Sequence, residues 1–296
     1  CLEEGVSVRS FEFVAPGSLD EALDAVARHA PHVRLLAGGT DLLVELKHAA
    51  NGPQFVVDLG RVRGLRGIEV TSAGLRIGAL VTHSEIVRSL LIAEHAPAMV
   101  AAAATIGAVQ TRNMGTIGGN LVTCVPSLDS GPVLVALDAL VTVVGAAGKR
   151  QMPITEFFVG PRKTALAPDE ILVDVLIPAV MLGRSASFRK FGLRKGQALA
   201  LVSAAASVAV EGGLIVETRI ALGAVSPTVV RALRAEAMVT GMKVGDTAGL
   251  REAAQVAVTE ARPIDDFRAS AAYRRELIAV GTFRVLEEAL AKATAV

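Results

Sequence analysis

Two short glycine-rich motifs contain the residues of this sequence whose types and spacing could do chemistry. The first motif is AGGTDL at residues 37–42, and the second is TIGGN at residues 116–120. Adjacent glycines let the backbone approach a ligand closely and turn successive N–H groups toward one point. Such N–H groups bind anions, above all phosphate oxygens. The motifs therefore predict a phosphate-bearing ligand, although a Gly-Gly pair alone is also typical of a surface turn.

The first motif lies between a predicted strand and a predicted helix. Apolar residues 33–37 run into the glycines, and Thr40 or Asp41 could cap a helix that starts near Leu42. A strand, a glycine turn and a helix start together favour anion binding. Neither motif fits G-x-x-x-x-G-K-[ST] or G-x-G-x-x-G, so two separate loops would share the ligand. A diphosphate with bulky groups at both ends suits that arrangement.

The composition argues against several functional classes. A formal net charge of +1 over 296 residues argues against a nucleic-acid-binding protein, and basic groups such as Arg274-Arg275 are expected to be solvated faces or subunit contacts. Two cysteines supply neither a disulfide framework nor a C-x-x-C metal pattern, and Cys124 is expected to be a small buried side chain. The five histidines lack the spacing of a metal site, so no metal is expected. No apolar run reaches the ~18 residues of a membrane helix, and CLEEGVSVRS has no signal-peptide core, so a cytoplasmic protein is expected.

Hydrophobic periodicity divides the chain into three predicted units, 1–60, 61–180 and 181–296. The first unit alternates strands and helices around the first glycine motif. The second has two hairpins, a helix over 82–91 that begins with a capping box, and a long loop that contains the second motif. The third is predicted to have three antiparallel strands, with a turn at Gly212-Gly213, followed by three helices. The predicted fold class is therefore α+β.

The two motifs resemble the flavin-binding loops of the FAD-binding (medium) subunit of the molybdenum hydroxylases, the family of xanthine dehydrogenase and carbon monoxide dehydrogenase. AGGTDL at 37–42 resembles the first loop, and RNMGTIGGNLVTCVPSLDSGP at 112–132 resembles the second. The likeness continues, in the same order, in FFVGPRKTALAPDEIL at 157–172, in Phe188-Arg189-Lys190 and in YRRELI at 273–278. This resemblance implies a two-subdomain FAD-binding unit of the vanillyl-alcohol-oxidase type. A C-terminal α+β domain like that of the carbon monoxide dehydrogenase flavoprotein would follow it.

The resemblance also implies which residues contact FAD. Main-chain amides of the first motif would wrap the pyrophosphate, Asp129 would contact a phosphate or a ribose hydroxyl, and Lys190 would lie near the polar edge of the isoalloxazine ring. Alternatives stay open: Asp129 could cap the helix predicted from Val133, Leu172 is a core residue in any case, and Lys190 could be a surface residue. The full set of implied cofactor-binding residues is Leu36, Ala37, Gly38, Gly39, Thr40, Asp41, Thr105, Ile106, Gly107, Thr116, Gly118, Gly119, Asn120, Thr123, Asp129, Leu172 and Lys190.

The resemblance further implies a division of labour between subunits, with no catalytic side chain on this one. Two cysteines cannot hold an iron–sulfur cluster that needs four thiolates. Molybdopterin and [2Fe–2S] clusters are expected on partner subunits, a molybdopterin large subunit and an iron–sulfur small subunit, in a dimer of heterotrimers. Two alternatives remain: a self-sufficient FAD-dependent oxidoreductase with the same two-loop cradle, and a non-catalytic nucleotide-binding module. The substrate of the complex (purine, N-heterocycle, aldehyde or carbon monoxide) and the electron acceptor (NAD, quinone or oxygen) stay open.

Overall fold

A computed structural model describes residues 10–48 and 52–294, and within these ranges it confirms the α+β class. Nearly all of the N-terminal segment CLEEGVSVRS lies outside the described residues. No helix in the described ranges has the length and apolar character that crossing a bilayer requires. The strands are β1 Glu12–Val14, β2 Val33–Leu36, β3 Phe55–Asp58, β4 Ile68–Thr71, β5 Gly74–Gly78, β6 Leu140–Gly145, β7 Gly148–Pro153, β8 Phe158–Gly160, β9 Lys163–Thr164, β10 Ile171–Pro178, β11 Ser185–Phe191, β12 Val202–Glu211, β13 Leu214–Gly223 and β14 Val230–Arg231. The helices are α1 Leu19–His29, α2 Leu42–His48, α3 His83–Arg88, α4 Leu90–His95, α5 Pro97–Ala104, α6 Val109–Met114, α7 Ile117–Thr123, α8 Ser130–Ala136, α9 Ile154–Phe157, α10 Leu233–Val239, α11 Thr247–Glu260 and α12 Ala271–Ala293.

A small parallel sheet carries the first glycine motif. Its strand order is β1-β3-β2, with both pairings parallel. Helix α1 begins where the hydroxyl of Ser18 accepts the N–H of Glu21, and it buries Ala22, Ala25 and Val26 in a core that includes Val57 of β3. Strand β2 ends at Leu36 and α2 begins at Leu42, so the AGGTDL motif connects the sheet to this helix.

A five-stranded sheet and seven short helices follow. The strand order is β4-β5-β10-β6-β7, and the pairings are antiparallel. Apolar side chains of β5, β6 and β10 share one core with α5, α7 and α8. The helix predicted over 82–91 is broken, because the side chain of Ser89 accepts the N–H of Ile92 and starts α4 as a separate helix. The predicted long loop of the second motif is also wrong, since it contains the helices α6 and α7.

The C-terminal region is a four-stranded antiparallel sheet in the order β11-β12-β13-β14, with α12 packed along β11 and β12. The predicted hairpin turn at Gly212-Gly213 is confirmed, and both glycines have positive φ angles of 57° and 78°. The two-residue strand β14 adds a fourth strand that the sequence pattern does not indicate. The expectation for Arg274 is wrong, because this side chain is 1% exposed and binds both oxygens of Asp266 at 3.0 Å. Its neighbour Arg275 is exposed, as expected.

Candidate functional site

The two glycine motifs meet at one cleft, although they lie far apart in the sequence. Gly38 packs so closely on the second segment that a Cβ there would lie 1.8 Å from the Met114 carbonyl oxygen and 3.0 Å from the Cα of Gly115. Only a glycine permits this approach of backbone to backbone. The cleft that both motifs border has a volume of about 890 Å³, within the range of ~300–1,000 Å³ that is usual for small-molecule and cofactor sites.

The first motif presents unused backbone donors to this cleft. The N–H groups of residues 38–42 make no hydrogen bond within the described chain, and the first bonded amide is that of Leu43, which donates to Gly39 at 3.0 Å. Gly39 has a positive φ of 72°, which turns the chain into α2. Asp41 occupies the N-cap position of this helix, as one of the two alternatives expected, because its carbonyl accepts the N–H of Glu45 at 2.9 Å. Thr40 and Asp41 both line the cleft, and the motif can bind an anion through its amides.

The second motif is helical, which corrects the expectation of a loop with free N–H groups. Thr116 caps α7 by accepting the N–H of Gly119 at 3.0 Å, while Asn120 donates its N–H to the Thr116 carbonyl at 3.0 Å. The amides of Ile117 and Gly118 donate to carbonyls of the neighbouring segment at 2.9 and 2.8 Å. Gly118 faces protein, since a Cβ there would lie 2.7 Å from both the Cβ and the carbonyl oxygen of Ala79. The glycine pair therefore provides close packing and a bare helix surface, and its amides are already used.

The second motif nevertheless contributes side chains and surface to the cleft. Gly119, Asn120 and Thr123 line it. The Asn120 side-chain oxygen accepts the Ser130 hydroxyl at 2.6 Å, which leaves the amide NH₂ group to donate to a ligand. The Thr123 hydroxyl donates to the Gly119 carbonyl at 2.8 Å and keeps its acceptor lone pairs. These groups can bind hydroxyl and phosphate oxygens of a bound molecule.

Cys124 ends α7 in a left-handed conformation with φ 48°. Its thiol is 2% exposed and donates to the carbonyl of Gly160 at 3.3 Å. Burial raises the pKa of the Cys124 thiol, so a thiolate is disfavoured. The expectation of a small buried side chain is confirmed.

A buried ion pair between Asp129 and Lys190 contributes to the wall of the cleft. Asp129 lines the cleft, and its Oδ2 accepts the Lys190 ammonium at 2.5 Å, while Oδ1 has no partner in the described residues. Lys190 also donates to the Thr105 carbonyl at 3.1 Å. Burial raises the pKa of Asp129 to about 6, against the lowering effect of Lys190. Asp129 occupies the N-cap position of α8 without a side-chain capping bond, so the capping alternative is wrong.

A second charge cluster, more exposed than the first, also lines the cleft. Glu45 on α2 binds Arg34 at 3.0 Å and Arg162 at 2.5 Å, and all three residues line the cleft. Burial would raise the pKa of Glu45, but the hydrogen bonds from Arg162 and Arg34 outweigh it and lower the pKa. Burial and the nearby Glu45 raise the pKa of the Asp41 carboxyl. Arg162 thus joins the β8–β9 segment to the unit that carries the first motif.

The structure brings most of the predicted residues together. Those that line the cleft are Ala37, Gly38, Gly39, Thr40, Asp41, Ile106, Gly107, Thr116, Gly119, Asn120, Thr123 and Asp129. The remaining five, which do not line it, are Leu36, Thr105, Gly118, Leu172 and Lys190. Leu172 is 4% exposed within the core of the five-stranded sheet. Lys190 lies one hydrogen bond behind the cleft surface, because Asp129 stands between its ammonium and the cavity.

Sequence reasoning missed several residues of the site. His83, the first residue of α3, is 2% exposed and lines the cleft. The capping box of Thr82 and Glu85 fixes where α3 begins, but no sequence signal shows that His83 points inward. Residues 197–199 of the β11–β12 loop also line the cleft, and Gln197 donates its N–H to the Gly107 carbonyl at 3.1 Å. This contact brings the C-terminal region into the site.

Fold and site together define a dinucleotide-binding α+β protein with two cooperating glycine motifs. Residues 9–180 match the family described as "FAD binding domain in molybdopterin dehydrogenase", and residues 186–289 match "CO dehydrogenase flavoprotein C-terminal domain". The chain is 32% identical over 278 residues to the glyceraldehyde dehydrogenase medium chain of Sulfolobus acidocaldarius, with 94% of this chain and 98% of that one covered. It is 32% identical over 278 residues to a putative xanthine dehydrogenase FAD-binding subunit of Escherichia coli, covering 93% of this chain and 94% of that subunit.

Solved structures agree with these matches. A chain of carbon monoxide dehydrogenase from Hydrogenophaga pseudoflava superimposes with a TM-score of 0.92 at 30% identity, covering 96% of this chain and 99% of that one. The chain therefore belongs to the FAD-binding medium subunits of the molybdenum hydroxylases, a family of oxidoreductases.

Proposed function

We propose that this chain is the electron-transfer subunit of a molybdenum hydroxylase complex. Bound FAD would supply two-electron chemistry, receiving electrons from an iron–sulfur partner subunit and passing them to an external acceptor such as NAD, quinone or oxygen. The observation that carries the proposal is the single cleft of about 890 Å³ between two glycine motifs, with the amides of residues 38–42 unused on one wall. The residues of the cleft fit a dinucleotide, because the unused amides of residues 38–42 and the bare surface of Gly119 both line it.

The chain's own residues have distinct tasks in this proposal. The amides of residues 38–42 bind the diphosphate, and the surface of Gly119 lets the ligand lie against α7. The Asn120 amide and the Asp129 carboxylate bind hydroxyl or phosphate oxygens. Lys190 affects the ligand only through Asp129, because its ammonium group forms a salt bridge with the Asp129 carboxylate at 2.5 Å. Leu172 and Thr105 support the wall from behind.

The predicted three-unit organisation, 1–60, 61–180 and 181–296, is part of this proposal. Each unit has its own sheet in the described residues, and all three contribute to the cleft. The first supplies the amides, the second supplies α7 and Asp129, and the third supplies residues 197–199. A cofactor shared by three units ties them together, since a ligand that binds the folded state stabilises it.

The proposed partners are an iron–sulfur small subunit and a molybdopterin large subunit, in a dimer of heterotrimers. Names such as "medium chain" among the relatives support a multi-chain assembly. In the described part of the chain, no group of three or more His, Cys, Asp and Glu side chains has the geometry of a metal site. We further propose a cytoplasmic location, supported by the free, buried thiol of Cys124.

The test is purification of the complex from its native host under non-denaturing conditions. We expect about one FAD per copy of this chain, with iron and molybdenum on co-purifying chains, and a native mass of two heterotrimers. Acid precipitation should release all of the FAD. A chain that purifies alone and oxidises a substrate by itself, or that keeps its flavin after denaturation, would favour the self-sufficient oxidoreductase. A colourless chain that binds no FAD would refute both.

A further inference from the structure

The turn between β8 and β9 carries a residue in an unusual backbone conformation beside the cleft. Arg162 has a positive φ of 57°, and Cys124, the residue that ends α7, has a φ of 48°. Left-handed conformations cost free energy for residues other than glycine, and they persist where the surrounding structure holds them, commonly at ligand sites. Arg162 lines the cleft. The fold therefore maintains this arginine in a costly conformation next to the ligand site.

Cys124 anchors the turn to the end of the second motif. The N–H of Arg162 donates to the Cys124 carbonyl at 2.8 Å. The Cys124 sulfur lies 3.3 Å from the carbonyl oxygen of Gly160 and 3.5 Å from that of Lys163. The backbone of the turn is therefore fixed to the end of α7, whereas the side chain of Arg162 extends away from this anchor and is 61% exposed.

The Arg162 side chain reaches the helix that follows the first motif. It binds Oε1 of Glu45 at 2.5 Å, while Arg34 of β2 binds Oε2 of the same carboxylate at 3.0 Å. The N–H of Glu45 donates to the Asp41 carbonyl at 2.9 Å, so Glu45 lies one helical turn beyond the amides of residues 38–42. Arg34 and Glu45 both belong to the first unit, and Arg162 belongs to the second. Of the two bonds to Glu45, the one from Arg162 therefore links the two units.

The two glycine motifs are thus joined at two places. At the first junction, the backbone of Gly38 packs on that of Gly115, with 3.0 Å between a Cβ on Gly38 and the Cα of Gly115. At the second junction, Glu45 binds Arg162, whose N–H is bonded to Cys124. One segment of the chain runs from Gly38 to Glu45, and the other runs from Gly115 to Cys124. The two segments and the two junctions therefore form a closed ring.

The two junctions differ in stiffness. The backbone contact at Gly38 cannot open unless packed main chain moves, and a core shared by Val57 of the first unit and Leu80 of the second holds the units together. The salt bridge, in contrast, joins side chains of which 61% in Arg162 and 32% in Glu45 is exposed. Exposed side chains change rotamer rapidly, and an exposed ion pair contributes little stability. The salt bridge is therefore the junction that opens.

We propose that the FAD diphosphate lies within this ring and that the salt bridge between Arg162 and Glu45 is a clasp that opens to let FAD enter or leave. The inference rests on the proposed function, because FAD is the ligand. The unused amides of residues 38–42 belong to one segment of the ring, and Gly119 and Asn120, which line the cleft, belong to the other. FAD carries a bulky group on each side of its diphosphate. Entry through an open clasp is therefore easier than threading either group through a closed ring.

A clasp changes rates more than it changes affinity. Because the salt bridge is present before FAD binds and re-forms afterwards, its loss lowers the barriers to entry and to release by the same amount. The association and dissociation rate constants should then rise by the same factor, and their ratio, the Kd, should stay unchanged. A direct contact between Arg162 and the ligand would instead act mainly on dissociation and would weaken binding when lost. Kinetics therefore distinguish the two mechanisms.

Stopped-flow measurements of flavin fluorescence on the complex provide the test. Mixing the deflavinated complex with FAD gives the association rate constant, and mixing the loaded complex with an excess of another FAD-binding apoprotein gives the dissociation rate constant. We expect Arg162→Met to raise both rate constants by about 2- to 5-fold, the range that an exposed ion pair allows, with Kd within about 2-fold of the wild type. Glu45→Gln should give a similar factor. The double variant should be no faster than either single variant, because all three lose one and the same interaction.

Arg150→Met is the matched control, because Arg150 forms a salt bridge with Glu170 inside the second unit, is 44% exposed and does not line the cleft. Arg34→Met removes the other arginine from Glu45 but keeps the link between the units, so its effect on the rates should be smaller than that of Arg162→Met. Melting temperatures of the apo variants identify any variant that does not fold, and Glu45→Gln then carries the test in place of Arg162→Met.

Three results would overturn the proposal. Arg162→Met could raise the dissociation rate constant alone, which would make Arg162 an ordinary ligand contact. It could exchange FAD as slowly as Arg150→Met, which would leave the salt bridge without a role in exchange. Arg34→Met could accelerate exchange as much as Arg162→Met, which would assign the effect to charge in the cleft and not to the link between the units. Failure of the wild-type complex to bind FAD would instead refute the proposed function.

Discussion

Neighbouring glycines of the second motif should respond in opposite ways to the addition of a side chain. A Cβ on Gly118 would lie 2.7 Å from Ala79, whereas an ordinary contact needs at least 3.4 Å, so backbone must move by roughly 0.7 Å. A Cβ on Gly119 meets only the Thr116 hydroxyl oxygen within 4 Å, at 3.0 Å, and Gly119 lines the cleft. Gly118→Ala should therefore damage the fold, and Gly119→Val should damage the ligand site.

The magnitudes follow from packing energies. Overpacking a filled site costs ~1–3 kcal/mol, which for Gly118→Ala lowers the melting temperature by on the order of 5 °C. In Gly119→Val, the added side chain projects into the space of the ligand, and the same ~1–3 kcal/mol corresponds to about 5- to 150-fold weaker FAD binding. Replacing glycine by valine raises the helix propensity by only a few tenths of a kcal/mol. The melting temperature of apo Gly119→Val should therefore stay close to that of the apo wild type.

The assay is differential scanning fluorimetry of the apo proteins together with FAD titration followed by flavin fluorescence. Gly64→Ala serves as the control, because a Cβ at this position meets no atom within 4 Å. If Gly119→Val binds FAD as tightly as Gly64→Ala, the assignment of α7 as a wall of the cofactor site is wrong. If Gly118→Ala has the same melting temperature as Gly64→Ala, the inference that Gly118 packs tightly against Ala79 is wrong.

Two further predictions concern buried ion pairs. Lys190→Met leaves Asp129 without its partner and should destabilise the apo protein by about 3–5 kcal/mol at pH 8. Burial raises the pKa of Asp129 to about 6 even though Lys190 lowers it, so loss of Lys190 should raise this pKa further. The carboxyl of the variant should therefore be protonated at pH 5, and the penalty should be smaller there than at pH 8. Denaturant titrations at both pH values check this, and a pH-independent penalty would contradict it. Arg274→Met should likewise unfold at lower denaturant concentration, since the guanidinium is 1% exposed and bonded to Asp266. Hydrogen bonds from Arg268 hold the pKa of Asp266 well below its usual range. The stability that this carboxylate contributes is therefore present above pH ~4 and is lost as pH falls further. Acid unfolding of the wild type and of Arg274→Met would reveal this loss.

Sequence patterns correctly predicted the features that depend only on residues close together in the chain. The capping box predicted from Thr82 and Glu85 is present with both of its hydrogen bonds, because its partners are three residues apart. The Gly212-Gly213 turn also forms as predicted, since two positive φ angles between apolar strands require little from the rest of the chain. The α+β class follows from the same kind of pattern. Both glycine motifs lie at the cleft as expected.

The remaining features depend on tertiary contacts that sequence patterns do not encode. Gly118 is a turn signal by composition, but its close approach to Ala79 makes it a packing position within a helix. Ser89 has ordinary helix propensity, yet its hydroxyl caps α4 and divides the predicted helix. In the sequence, His83 is one of five histidines without a shared pattern. Only the folded chain shows that it is buried and lines the cleft. Arg274 was expected to be a solvated face or a subunit contact, but its side chain is buried and binds Asp266, which lies eight residues earlier on a loop.

The contact at Gly38 sets how closely the two walls of the cleft approach each other. Two strips of main chain from distant parts of the sequence touch there without any side chain between them. A Cβ at residue 38 would lie 1.8 Å from the Met114 carbonyl oxygen, so any other residue would have to drive the two strips apart. The width of the cleft is thus governed by a position that carries no side chain at all.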